Sequence, residues 1–186
     1  MSKDGIGNEF SHIVELDRVG PQGLPVKLEA DAGALKSLAR QMKIPAVLAL
    51  KAELRVAPDP ALSGHFRVTG RLEAEVEQTC IASLEPVRQR VSEAFQRLFA
   101  PAGNLKPAAA LAEDEAEWLD PDAEDPADPI EDGQIDVGAV VAEELALGLD
   151  PYPRKPEAGL PEGYKPDAED GAKISPFAAL AKLKKD

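Results

Sequence analysis

Residues Ala46–Val56 read AVLALKAELRV. Ala46, Leu48, Leu50, Ala52, Leu54 and Val56 fall on one side of an extended chain, and Lys51, Glu53 and Arg55 on the other. That is the two-residue period of a half-buried β-strand. After the turn-forming APDPALSG, the stretch His65–Cys80, HFRVTGRLEAEVEQTC, repeats it. Phe66, Val68, Leu72, Ala74 and Val76 face inward, and Arg67, Thr69, Arg71, Glu73, Glu75 and Glu77 face outward. Two such strands joined by a Pro- and Gly-containing turn predict an antiparallel hairpin.

Upstream, Phe10–Val19 (FSHIVELDRV) reads as a strand, GPQGLP as a turn, and LPVKLEA as a further extended piece. In DAGALKSLARQMKIP, Asp31 is placed to cap a helix whose Leu35, Leu38, Ala39 and Met42 repeat at helical spacing, and Pro45 prevents its continuation. Downstream, VRQRVSEAFQRLFAP is ambiguous. Val87, Val91, Phe95, Leu98 and Phe99 suit a helix, whereas alternation places Gln89, Glu93 and Arg97 on the face of Val87, Val91 and Phe95. In IDVGAVVAEELALGLDPYP, Asp136 can cap a second helix with Val137, Val140, Val141, Leu145 and Gly148 on one stripe, stopped by Pro151.

Composition sets the limits. The 186 residues are 44% apolar but only 4% aromatic, so a core must be aliphatic. A single cysteine excludes an intramolecular disulfide and any thiol cluster for a metal, and fits a reducing, cytoplasmic setting. No segment has the apolar run of a signal peptide or membrane helix. Net charge is −13, yet eleven of the 34 acids lie between Glu113 and Asp132 with no Lys or Arg, leaving 23 acids against 21 bases elsewhere. Residues 100–134, rich in Pro, Ala and acids, cannot offset the entropy of ordering and predict a mobile insertion. The same composition argument predicts a flexible tail over residues 151–186, ending in the amphipathic ISPFAALAKLKKD with Phe177, Leu180, Ala181 and Lys184 on one helical face. The expectation is an α+β fold: a single domain over residues 8–150 with an antiparallel sheet, a few helices, a disordered acidic insertion and a C-terminal tail.

Catalytic constellations are absent from this pattern. His12 and His65 lie on expected strands, far from any Gly-rich nucleophile turn or HExxH pair. Cys80 has no activating partner nearby in sequence. Arg67, Arg71, Arg88, Arg90 and Arg97 flank Cys80 and could form a basic surface, but interleaved glutamates favour an ordinary solvated face. Trp118 and Leu119 stand among acids with no core to join, which suits apolar anchors for a basic partner.

Three motifs in order carry a resemblance. TCIASLEPV, then DGQIDVGAVVAEELALGLDPYPRKP, then SPFAALAKLKKD resemble the YceD family of large ribosomal RNA subunit accumulation proteins of bacteria and plastids, over about Phe10 to Asp186. The resemblance implies a non-enzymatic ribosome biogenesis factor, needed for large-subunit rRNA to accumulate through processing or assembly, with no cofactor. Its implied partners are a ribosomal precursor particle, a basic ribosomal protein or a maturation factor, with at most weak or indirect rRNA contact and no membrane. An rRNA-processing nuclease or a generic protein-interaction module is the alternative. Many family members resemble C-x-x-C-L-E-P at the first motif, with further cysteines after the late helix. Here Ser83 holds the second position and PYPRKP follows the helix, which excludes a Cys-based metal site. CIASLEPV then reads as a structural turn, with Glu85-Pro86 opening the next element and Leu84 tucked beneath it. In the family that element is a strand, so the resemblance resolves Val87–Phe99 as strand. The interaction candidates are Cys80, Leu84, Glu85, Pro86, Trp118, Leu119, Pro151, Tyr152, Pro153, Phe177 and Leu180.

Overall fold

The computed structural model describes residues 10–101, 103 and 127–156. The chain runs β1 (Ile13–Glu15), a 3-10 turn (Leu16–Arg18), β2 (Leu24–Glu29), α1 (Ala32–Met42), β3 (Ala46–Pro58), β4 (Phe66–Thr79), β5 (Pro86–Pro101), β6 (Asp128–Ile130), β7 (Gln134–Asp136) and α2 (Val137–Leu147). A five-stranded sheet has the order β2-β3-β4-β5-β6, antiparallel except for the β5–β6 pair. β1 and β7 form a separate two-stranded ladder. This is the expected α+β architecture.

The central hairpin pairs Val56 with Val68, Leu54 with Gly70 and Leu50 with Ala74. Leu50, Ala52, Leu54, Val56, Val68, Leu72, Ala74 and Val76 are buried, as the alternation requires. Gly70 is needed in the middle of β4, because a Cβ there would lie 2.7 Å from the Leu54 Cβ and 2.8 Å from the Phe95 ring. At the start of β3 the pattern departs from expectation. A register shift between Val47 and Ala49 inserts an extra residue and turns the side chains over. Val47 therefore takes the buried place, and Leu48, expected inside, is exposed.

β5 settles the ambiguous stretch as a strand, paired with β4 from Pro86–Thr79 to Phe99–Phe66. Val91, Phe95 and Phe99 enter the core. Two of the three polar residues that share their face hold α2, and the third, Glu93, is exposed. Gln89 Nε2 donates to the Gly148 carbonyl at 3.3 Å, and Arg97 bonds to Asp128, Glu143 and Glu144. Thus two of the interruptions that spoil the apolar alternation, Gln89 and Arg97, are contacts with the covering helix.

Both helices are capped as read. Asp31 accepts from the Gly33 and Ala34 N–H, and Asp136 from Gly138 and Ala139. Asp136 also takes hydrogen bonds from the Ser11 hydroxyl and the His12 N–H, tying the first described residues to α2. Gly138 permits this contact, since a Cβ there would run into the Phe10 carbonyl. Helix α1 covers β3, and α2 covers β4 and β5. Leu38, Leu50, Leu72 and Leu145 are fully buried between the layers, each worth about 1.5–3 kcal/mol of transfer free energy.

The other sheet face is open and charged. Register sets Lys27, Glu53 and Arg71 in one row and Glu29, Lys51 and Glu73 in the next. Lys27–Glu53 (2.6 Å) and Lys51–Glu29 (3.0 Å) are ion pairs on this surface. The five arginines do not make one basic surface. Arg67 binds the buried Asp59 carboxylate, Arg71 reaches the Ser92 hydroxyl, Arg88 lies near Glu75 and Glu77, Arg90 is exposed opposite Glu75 in the register, and Arg97 faces α2.

Three further expectations are corrected. The predicted strand Phe10–Val19 is only Ile13–Glu15, because a 3-10 turn follows at once, where the Leu16 N–H is taken by the Gly133 carbonyl. The acidic insertion is narrower than 100–134. Ala100 is buried in β5, Asp128–Ile130 form β6, and Asp132-Gly133, both at positive φ, make the two-residue turn into β7. Finally, the tail does not begin at Pro151, since residues 151–155 pack back on the motif turn described next. The remainder of the acidic insertion and of the tail lies outside the described residues.

Candidate functional site

β4 ends at Thr79 and β5 begins at Pro86, so six residues must reverse the chain. They form a compact knuckle. The Cys80 N–H donates to the Glu85 carbonyl at 2.8 Å, and the Leu84 N–H donates to the Cys80 carbonyl at 2.9 Å. Closing this loop puts Leu84 at φ 58, a left-handed conformation uncommon for a branched residue. Its side chain is 77% exposed. The expectation that Leu84 tucks beneath β5 is therefore wrong: the left-handed backbone turns it outward.

The segment after α2 returns to this knuckle. Gln78 Nε2 donates to the Asp150 carbonyl at 3.0 Å, and the Asp150 N–H donates to Gln89 Oε1 at 3.2 Å. The Ile81 N–H reaches the Pro153 carbonyl at 2.9 Å, and Lys155 Nζ bonds to Glu85 Oε2 at 2.7 Å. Pro153 is buried, while Pro151 and Tyr152 face solvent. Seven of the eleven interaction candidates thus meet at one end of the sheet: Cys80, Leu84, Glu85, Pro86, Pro151, Tyr152 and Pro153. Trp118, Leu119, Phe177 and Leu180 lie outside the described residues.

Three apolar side chains stand out from this end: Leu84, Tyr152 at 71% exposure and Ile81 at 44%. The Lys155–Glu85 pair lies beside them and keeps the Glu85 carboxyl below its ordinary range, mainly through the hydrogen bond from Lys155. Cys80 is fully buried beneath. Hydrogen bonds from the Ser83 hydroxyl and from the Lys155 and Ser83 N–H groups lower its thiol to about 6. This corrects the reading that Cys80 has no activating partner nearby in sequence, since the Ser83 hydroxyl is three residues away; the two backbone donors, one of them 75 residues downstream, leave no sequence signal.

The donor set does not fit zinc. Cys80 is the sole thiol of the chain, and Ser83 Oγ lies 3.5 Å from the Glu85 carboxylate that already holds Lys155. Among the described residues no three His, Cys, Asp or Glu side chains are grouped to hold a metal. Gln78, Asp150 and Lys155 are absent from the sequence reading, and Gln89 enters it only as a polar break in an apolar face. The usable signal was two glutamines at inward-facing strand positions, where a polar group needs a partner.

The described residues therefore define an α+β domain with a charged open sheet face and, at one end, a strained knuckle clasped by the segment that follows the last helix. A family model described as large ribosomal RNA subunit accumulation protein YceD matches residues 68–184, more than half the chain, and the chain belongs to this YceD family. The family's description ties it to accumulation of large-subunit rRNA. No curated protein and no solved structure matches. Among the described residues no helix is long and apolar enough to cross a membrane.

Proposed function

We propose that the protein is a non-enzymatic factor in large-subunit biogenesis that works in the cytoplasm by binding a protein of the precursor particle through its knuckle end. The partner is a basic ribosomal protein or a maturation factor, with any rRNA contact weak or indirect. One observation carries the reading: at the family's motif the chain spends a left-handed backbone position on displaying Leu84, next to Tyr152 and Ile81, when folding alone would favour burying it. Exposed apolar groups on a hydrogen-bonded scaffold suit a docking anchor.

The test is Leu84→Asp combined with Tyr152→Ala. Both side chains are exposed and Asp tolerates the left-handed backbone at position 84, so circular dichroism should match wild type and thermal unfolding should come no earlier. Co-sedimentation with large-subunit precursors and 23S rRNA levels should fall. Normal co-sedimentation by the folded double variant would overturn the proposal, as would clean cleavage of precursor rRNA by purified protein with Mg²⁺.

A further inference from the structure

From Ala32 to Leu50 the chain has three bases and no acid, although the whole carries −13. Lys36 and Arg40 sit four residues apart on α1, and Lys43 follows at its C-cap. All three are exposed, and none makes an ion pair with another described residue. They edge a shallow groove of about 470 Å³ between α1 and the start of β3, floored by Leu35, Ala39, Ile44 and Val47. No aromatic side chain lines it. An apolar floor with a cationic rim suits an acidic peptide with apolar anchors. Nucleic-acid bases would call for stacking surfaces, which are missing.

The chain itself contains a segment of that chemistry. Glu113–Asp125 holds eight acids, no base, and Trp118-Leu119 at its middle. Its own copy is badly placed to supply it. Asp128 pairs with Phe99 at the far end of the sheet, whereas Ala46 is opposite Glu77. Those levels are separated by about 36 Å along β4 and about 14 Å across three strand spacings. The direct distance is then about 39 Å in a flat sheet, against about 33–36 Å for the ten residues from Trp118 to Asp128 fully extended. A chain's own segment could therefore approach the groove only as a taut strand with no slack to seat Trp118, whereas a second copy carries no such restraint. We propose that the α1–β3 groove binds the acidic segment Glu113–Asp125 of a second copy of this chain, with the Trp118-Leu119 pair on the floor and its carboxylates on Lys36, Arg40 and Lys43. This assignment is independent of the knuckle surface.

A labelled peptide of residues 113–125, titrated with the full-length chain at low salt, reads the contact directly. Binding should weaken about tenfold in K36E/R40E, the sum of two or three partly exposed charge contacts. Sedimentation should show concentration-dependent association of wild type, with a blue shift of Trp118, the chain's one tryptophan. K36E/R40E should stay monomeric, keep its melting temperature, and associate again when mixed with a variant whose segment acids are replaced by lysine. Equal peptide affinity for K36E/R40E, or a wild-type chain that is monomeric at all concentrations, would sink the proposal. So would single-stranded RNA binding the groove more tightly than the peptide, since the cations would then serve phosphates.

Discussion

Lys155 Nζ lies 2.7 Å from Glu85 Oε2 across 70 residues of sequence, and this pair clasps the segment after α2 onto the knuckle. Its pH dependence follows from the depressed carboxyl. A group whose folded pKa lies below its unfolded value stabilises fully above the unfolded value and loses that contribution as pH falls through the folded one. The clasp should therefore hold above pH 4.5, the ordinary glutamate value, and loosen below it. The protection of the Ile81 N–H, bonded to Pro153, taken relative to its intrinsic exchange rate at each pH, should fall in acid and should already be lower in Glu85→Gln at neutral pH. An acid-insensitive Ile81 would show that the ion pair does not hold the clasp.

Cys80 gives a second window, of the same sign but at higher pH. Its thiol ionises near 6 in the fold against 9.0 as the ordinary value. The linked stabilisation is absent below about 6, grows as pH rises between the two values, and is complete above 9.0. Urea midpoints of wild type and Cys80→Ala should accordingly diverge between pH 6 and pH 9. A gap that stays constant across this range would mean that the Ser83 hydroxyl and the Lys155 and Ser83 N–H groups do not favour the thiolate.

The register shift at Val47 makes two neighbouring leucines opposites. Leu50→Asp puts a charge into a position with 1% exposure and should abolish folding. Leu48→Asp, outside the sheet because of the bulge, should change stability by no more than about 0.5 kcal/mol. Denaturant unfolding of the two variants checks the bulge directly, and equal damage from both would place Leu48 in the core.

How far the fold could be read follows the same physics. The hairpin of β3 and β4 was legible because each inward residue is apolar and each outward one polar. β5 was not, because Gln89 and Arg97 interrupt its apolar face to hold a helix that lies some 50 residues away in sequence, and Glu93 on the same face is exposed. Leu48 was misplaced because a bulge leaves no signature in a regular alternation. In the acidic stretch, composition hid the hairpin turn Asp132-Gly133 and the ordered Asp128. Pro153 and Lys155 lay in a segment whose polar composition gave no sign that the knuckle would supply its hydrogen bonds. The motif residues themselves were found, but their grouping required the return of the chain after α2, and Leu84's outward orientation required its backbone angle.

The acids near the sheet separate by partner, not by composition. Asp128 Oδ2 is 2.6 Å from Arg97 Nη2, with both side chains about a third exposed, and Arg97 also contacts Glu144, which is largely shielded on α2. Three carboxylates thus converge on one guanidinium that ties β5, β6 and α2 together. Removing the cation leaves those carboxylates facing one another, so Arg97→Ala should destabilise by about 1–3 kcal/mol. Asp128→Asn loses the charge-assisted bond alone and should cost less, and the double variant should cost less than the two single losses added. Glu131, exposed at the adjoining turn, should tolerate Gln within about 0.5 kcal/mol. Equilibrium denaturation of the cycle decides it: additive losses for Arg97 and Asp128 would show that the two act separately and that β6 is held by its backbone ladder alone.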